Sequence, residues 1–184
     1  MKQLRPKHFI SQQFEGTLAA NPDFMRKFAK AYHSKAEKMD DGEVAIERKR
    51  GLGGWNHAAT WKVSANGKEF FVKEIGLEDT CRWQRGHGLF LTMEALAALE
   101  TENVLVARPQ FGILARKTSF FVEKYFDLPV AEDVLNSVPH ALQAEFRIFR
   151  EAAEKRGFID VGLDNSFFDQ KNGKLIVFDA MCGI

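Results

Sequence analysis

Cysteine is nearly absent from this chain of 184 residues. Cys81 and Cys182 are the only two, with no CxxC or zinc-type spacing. That excludes a disulfide framework and reads as free thiols in a reducing compartment. No apolar run approaches the ~20 residues of a membrane-spanning helix. The opening MKQLRPKHFISQQF has neither the apolar stretch nor the small-residue cleavage site of a secretion signal, so a cytoplasmic setting, or delivery from a cytoplasm, is expected. Charge of one sign is also missing. The formal net charge is +1, which gives no general reason to expect nucleic-acid binding. The five histidines form no HExxH, no serine stands in a GxSxG elbow, and there is no GKS/T of a Walker loop and no complete GxGxxG. Arg82 and Arg85 flank Trp83, which reads as stems packed on a ring.

What is present is ordinary globular composition, 45% hydrophobic and 28% charged, enough to bury one core or two small lobes. Basic residues gather at the start, with eight Lys/Arg in residues 1–38 against Glu15, Asp23 and Glu37. Residues 1–42 read as a helical, basic extension. Asn21-Pro22-Asp23 is a helix start, Phe24, Phe28 and Tyr32 form one stripe, and Asp40-Asp41-Gly42 is a turn.

Residues 43–184 form the domain. Strands are predicted over 43–50, 60–64 and 69–75, the last two joined by an Asn66-Gly67 hairpin turn. A helix is predicted over 89–100 with Leu89, Met93 and Leu96 on one stripe. Short apolar runs follow at 104–106, 111–114 and 119–125. Ser137 is the expected cap of a long helix with the stripe Leu142, Phe146, Phe149 and Ala153, ended by Lys155, Arg156 and Gly157. Two strands, around 158–159 and 174–178, close the chain, with Asn172-Gly173 as the turn into the second.

Chemistry-bearing residues recur along this order. Gly51, Gly53 and Gly54 lie between two strands, not before a helix, which argues against a dinucleotide fold and for a loop lying over phosphates. Lys73 closes the strand FFVKE twenty-two residues after Gly51, and Glu94 follows twenty-one later on the first helix. Asp160 and Asn165 are five apart, and Asp179 stands fourteen beyond Asn165, past an Asn-Gly turn. In order and spacing this set resembles the protein-kinase-like phosphotransferases. The resemblance implies an α+β, two-lobed fold with a five-stranded upper sheet and a much reduced lower lobe. It also implies ATP and Mg²⁺ as cofactors. Under it, Lys73 takes the ATP phosphates, Glu94 holds Lys73, and the backbone at Glu123 and Tyr125 meets adenine. Asp160 handles the acceptor hydroxyl, and Asn165 and Asp179 are the metal ligands.

Several positions depart from the family pattern. Phe158 and Ile159 precede Asp160 where His and Arg are usual. Gly162 stands where a lysine is common, Ala180-Met181 replaces Phe-Gly, and Phe71 occupies the usual small position over the base. The leading expectation is a kinase acting on a protein hydroxyl, and small kinase-like effectors delivered from a bacterial cytoplasm offer one setting. The alternatives are a sugar-type small-molecule kinase and a pseudokinase that keeps the fold without the reaction.

Overall fold

The computed structural model describes residues 7–10, 26–27, 30, 33–34, 37–49, 60–65, 67–76, 87–108, 111–114 and 118–182. The chain divides into two compact units, Met1–His87 with Pro109–Tyr125, and Gly88–Arg108 with Phe126–Ile184. Gly51, Gly53 and Gly54, the Asn21-Pro22-Asp23 start, the Phe24, Phe28, Tyr32 stripe and the Arg82, Trp83, Arg85 cluster lie outside the described residues.

The first unit holds an antiparallel sheet. Its strands are β1 (Lys7–Ile10), β2 (Lys38–Asp40), β3 (Val44–Lys49), β4 (Thr60–Ala65), β5 (Lys68–Gly76), β7 (Phe111–Leu114) and β8 (Thr118–Lys124), in the spatial order β1-β7-β8-β5-β4-β3-β2. The inner run β7-β8-β5-β4-β3 is the expected five-stranded sheet. Residues 1–42 widen it to seven strands by adding β1 against β7 and β2 against β3. That segment therefore contributes sheet as well as the helical residues Arg26, Lys27, Lys30, His33 and Ser34. Period-two alternation buries Val44, Ile46, Trp61, Val63, Ala65, Phe70, Val72 and Val122 on one face. Each Val or Ile there contributes about 1.5–3 kcal/mol of burial. The Asn66-Gly67 turn is realised, since Ala65 pairs with Lys68 and Gly67 has φ +68.

The second unit contains α1 (His87–Ala97), β6 (Val104–Val106), a 3₁₀ turn at Leu135–Ser137, α2 (His140–Lys155), β9 (Phe158–Ile159), β10 (Ser166–Asp169), β11 (Lys174–Val177) and β12 (Met181–Cys182). Strands β10, β11 and β6 form one sheet, with β6 parallel to β11, and β12 pairs with β9. The predicted stripe of α2, Leu142, Phe146, Phe149 and Ala153, is buried throughout. Gly157 ends the helix at φ +83, its amide bonded to the Glu154 carbonyl.

Two local expectations change, and one short run gains its partner. Ser137 does not cap α2, because its own amide closes the 3₁₀ turn onto the Val134 carbonyl and the helix enters through Pro139 instead. The first helix stops at Ala97, where the amides of Ala98, Leu99 and Glu100 reach back only three residues and tighten the chain into a turn. The run at 104–106 joins the second unit, where its pairing with β11 buries Val104 and Val106.

Candidate functional site

In the first unit, the sheet register defines one face. Opposite residues of an antiparallel pair point the same way, so Thr60 and Lys73 share that face, as do Lys62, Phe71 and Glu123 in the next row. Phe70 and Val72 point to the core instead. Lys73 and Phe71 are half-buried, whereas Thr60 and Glu123 are buried, Glu123 at 6% exposure. Lys62 bonds Glu69 at 2.6 Å and lies 4.3 Å from the centre of the Tyr125 ring.

The backbone of β8 differs from the sequence expectation. The Tyr125 amide donates to the Glu69 carbonyl at 3.1 Å. Hydrogen-bonded pairs alternate along an antiparallel ladder, so Glu123, two residues earlier and opposite Phe71, exchanges its backbone bonds with β5 as well. The Tyr125 amide and, by this alternation, the backbone groups of Glu123 thus face the neighbouring strand. The same alternation turns the backbone groups of Lys124 the other way.

In the second unit, Asp160, Asn165 and Asp179 are tied into one loop system. Asn165 Nδ2 donates to the Asp160 carbonyl at 3.0 Å. The Phe178 amide donates to the Asn165 carbonyl at 3.0 Å, which sets Asp179 one residue beyond that contact. Asp160 sits at φ +63, the one non-glycine among the described residues with positive φ, a conformation that costs energy and clusters at functional sites. Buried Val161 and Ser166 hold the loop down, and Ser166 Oγ donates to the Gly162 carbonyl at 2.8 Å. Asp160 is exposed and Asp179 half-buried. Glu94, expected to face partly inward, is exposed on α1, whose buried side is Thr92, Met93, Leu96 and Ala97.

The donor set suits one kind of ion. Among the described residues no three His, Cys, Asp or Glu side chains gather as a metal cage. With Nδ2 of Asn165 committed to the Asp160 carbonyl, its Oδ1 joins the carboxylates of Asp179, Asp160 and Asp164 as the hard oxygens of this loop system. Mg²⁺ fits so sparse a set because it keeps several waters and shares its shell with phosphates.

Aromatic residues beside this loop carried no assigned chemistry in the sequence. Phe167 and Phe178 lie on the Asn165 face of the β10–β11 hairpin, ring centres 4.3 Å apart, and Phe126 stands 6.0 Å from Phe167. All three are half-exposed, while Ser166, Phe168, Leu175 and Val177 on the other face are buried. The strand SFFD was the available signal, since its alternation follows directly from Asn165.

Around the site, Glu145 of α2 accepts from the Thr101 hydroxyl and from Asn103 Nδ2 at 3.0 Å, and these two bonds hold its carboxyl below the usual range. Thr101 Oγ1 also accepts the Val104 amide at 3.0 Å. Glu100 accepts the Val106 amide and pairs with Arg108 at 2.8 Å. The entry into β6 is thereby fixed from both sides.

No family model matches the chain, and no curated protein matches it. Among solved structures, the BubR1 kinase domain is similar with a TM-score of 0.50 at 12% identity, over 95% of this chain and 61% of that one. Rad53 residues 1–466, in complex with AMP-PNP, gives 0.49 at 17% identity, over 84% and 42%. This chain therefore spans less than two thirds of either. The fold is α+β and protein-kinase-like, with a reduced C-terminal lobe.

Proposed function

We propose that the protein is an ATP- and Mg²⁺-dependent phosphotransferase that moves the γ-phosphate to a hydroxyl on a protein. The observation that carries this reading is the hydrogen-bonded closure of Asp160 onto Asn165, with Asp179 one residue past the next contact. In this reading Asp160 accepts the acceptor proton, and Asn165 Oδ1 and Asp179 hold the ion. Lys73 binds the phosphates, with Glu94 as the family's counter-ion position. Bound Mg²⁺ supplies charge neutralisation on those phosphates. Phe167 and Phe178 offer π faces to a base on the side of the hairpin that carries Asn165. The glycines at 51, 53 and 54 complete the phosphate contacts. The test is an NMR titration with an ATP analogue and Mg²⁺. Shifts concentrated at Lys73, Phe167 and Asp179 support the reading, and binding elsewhere or not at all overturns it.

A second reading, a nucleotide-binding module without transfer, is favoured by one local feature. A Cβ on Gly162 would run into Asp164 Oδ1, so a carboxylate occupies the place where a phosphate-neutralising lysine would begin. Incubation with radiolabelled ATP and a lysate as acceptor pool separates the two. Label on protein supports the kinase, and a silent enzyme that still binds nucleotide supports the module.

A further inference from the structure

Glu123 is the one buried ionisable side chain among the described residues, at 6% exposure. A carboxylate so placed costs several kcal/mol unless a cation and hydrogen bonds compensate it. Its strand and face restrict the source. Glu123 lies opposite Phe71 and Lys73 lies opposite Phe121, so the two are diagonal neighbours on adjacent strands and the same face. Such neighbours are separated by about 7–8 Å along the backbone, within reach of a Lys and a Glu side chain. Among the described side chains of that face, the other ammonium groups are Lys38, exposed on β2 at the far edge of the sheet, and Lys62. Lys62 stands one strand further away than Lys73 and is held by Glu69 at 2.6 Å over the Tyr125 ring. Lys124 alternates to the opposite face, in the row of Phe70. Glu94, by contrast, is exposed, and a solvated carboxylate loses little when it makes no pair.

We propose that Glu123 is the carboxylate that holds the Lys73 ammonium, so that this lysine is oriented by a residue of its own sheet. Glu123 is then a positioning residue. Lys73 is aimed before any nucleotide arrives, and phosphate binding exchanges one anionic partner for another. The pairing stands on register and burial alone, and only its consequence for ATP rests on the proposed function.

The experiment is a pH titration of the apo protein carrying ¹³Cε-labelled lysine, with the Lys73 resonance assigned through Lys73→Arg. In Glu123→Gln the Lys73 midpoint falls by about one pH unit or more, as expected when an adjacent opposite charge is removed. In Glu94→Gln it stays in place, and in Glu123→Asp it recovers in part. A Lys73 midpoint unmoved by Glu123→Gln overturns the proposal. Should Glu123→Gln fail to fold, the reciprocal measurement decides: the Glu123 ¹³Cδ titration moves upward in Lys73→Met if the pair exists and is unchanged if it does not. A wild type that binds no nucleotide would sink the proposed function and leave these results standing. If it does bind, Glu123→Gln weakens Mg·ATP while kcat at saturation changes far less.

Discussion

The side-chain amide of Asn165 donates to the backbone carbonyl of Asp160 at 3.0 Å, across a loop in which Asp160 is held at φ +63. One bond thus does two things. It restrains a residue in a region that most side chains avoid, at a cost on the order of 1–3 kcal/mol, and it orients the remaining Asn165 oxygen. Strain maintained at an exposed carboxylate is hard to explain by stability alone, because Asp160 buries almost nothing in return.

Replacing Asp160 separates strain from chemistry. Asp160→Asn keeps a side chain that tolerates this backbone and removes the charge that receives the acceptor proton. Phosphotransfer should fall by about 10²-fold or more while nucleotide affinity and Tm barely move. Asp160→Gly should raise stability by up to about 1 kcal/mol, since glycine accepts φ +63 freely. Denaturant unfolding beside a transfer assay measures both. An active Asp160→Asn enzyme would remove Asp160 from the catalytic role.

Asp179 is half-buried and lies outside the strand, two residues past Val177 at the end of β11. Asp179→Ala should therefore leave the fold intact and abolish the Mg²⁺-dependent part of nucleotide binding and turnover. Calorimetric titration of ATP with and without Mg²⁺ checks this. A variant that keeps the wild-type Mg²⁺ response refutes Asp179 as a ligand.

Long-period signals were readable from the residues alone. The α2 stripe is buried as written, and Asn66-Gly67 makes its two-residue turn. The spacing of Asp160, Asn165 and Asp179 corresponds to loops that are physically tied. What escaped the reading depended on tertiary pairing. Strands β1, β2, β10 and β12 have two to four residues each, too short for periodicity to register before a partner strand is known. The Tyr125 amide could be assigned to β5 only once the register was fixed. Ser137 has the chemistry of a cap, yet Pro139 begins the helix two residues later and the serine is used in the turn before it.

The aromatic row provides a further check. If Phe167 and Phe178 form a platform for a base, Phe167→Ala should weaken ATP binding by about 1–3 kcal/mol. It should weaken inorganic triphosphate binding much less, because the phosphates would not touch the ring. Equal losses for both ligands would show a general loosening of the hairpin instead.

Glu145 makes stability pH-dependent in a definite direction. Its carboxyl is held below the ordinary value of 4.5 by Thr101 and then Asn103. The ionised form is thus favoured by folding, and its contribution is complete above the unfolded value and lost as pH falls through the lowered folded one. Glu145→Gln should cost about 1–3 kcal/mol near neutral pH and flatten the decline in stability between about pH 5 and 3. Urea unfolding of both proteins across that range is the measurement. Parallel pH profiles would show that the charge on Glu145 is not what secures α2 to the entry of β6.

The last expectation concerns residues 1–42, which supply both edges of the seven-stranded sheet. β1 covers β7, β2 covers β3, and Lys27 bridges Asp41 and Glu43 at 2.8 and 2.7 Å. The hydrogen bond from Lys27, more than any other contact, pulls the Asp41 carboxyl down to about 2. The two carboxylates are exposed whereas the Lys27 side chain is half-buried, so Lys27→Ala should produce a modest loss of stability, the ion-pair part of which fades in high salt. Deleting residues 1–38 is a different perturbation. It removes β1, the first residue of β2 and the lysine together, shortens the cover of β3 to Met39 and Asp40, and leaves β7 as a bare edge prone to pairing with other chains. The truncated protein should melt well below the full chain and self-associate, whatever its affinity for ATP. Thermal unfolding with light scattering tests this, and an unchanged Tm in a monomeric truncation would show that β1 and the Lys27 bridge add nothing to the sheet they flank.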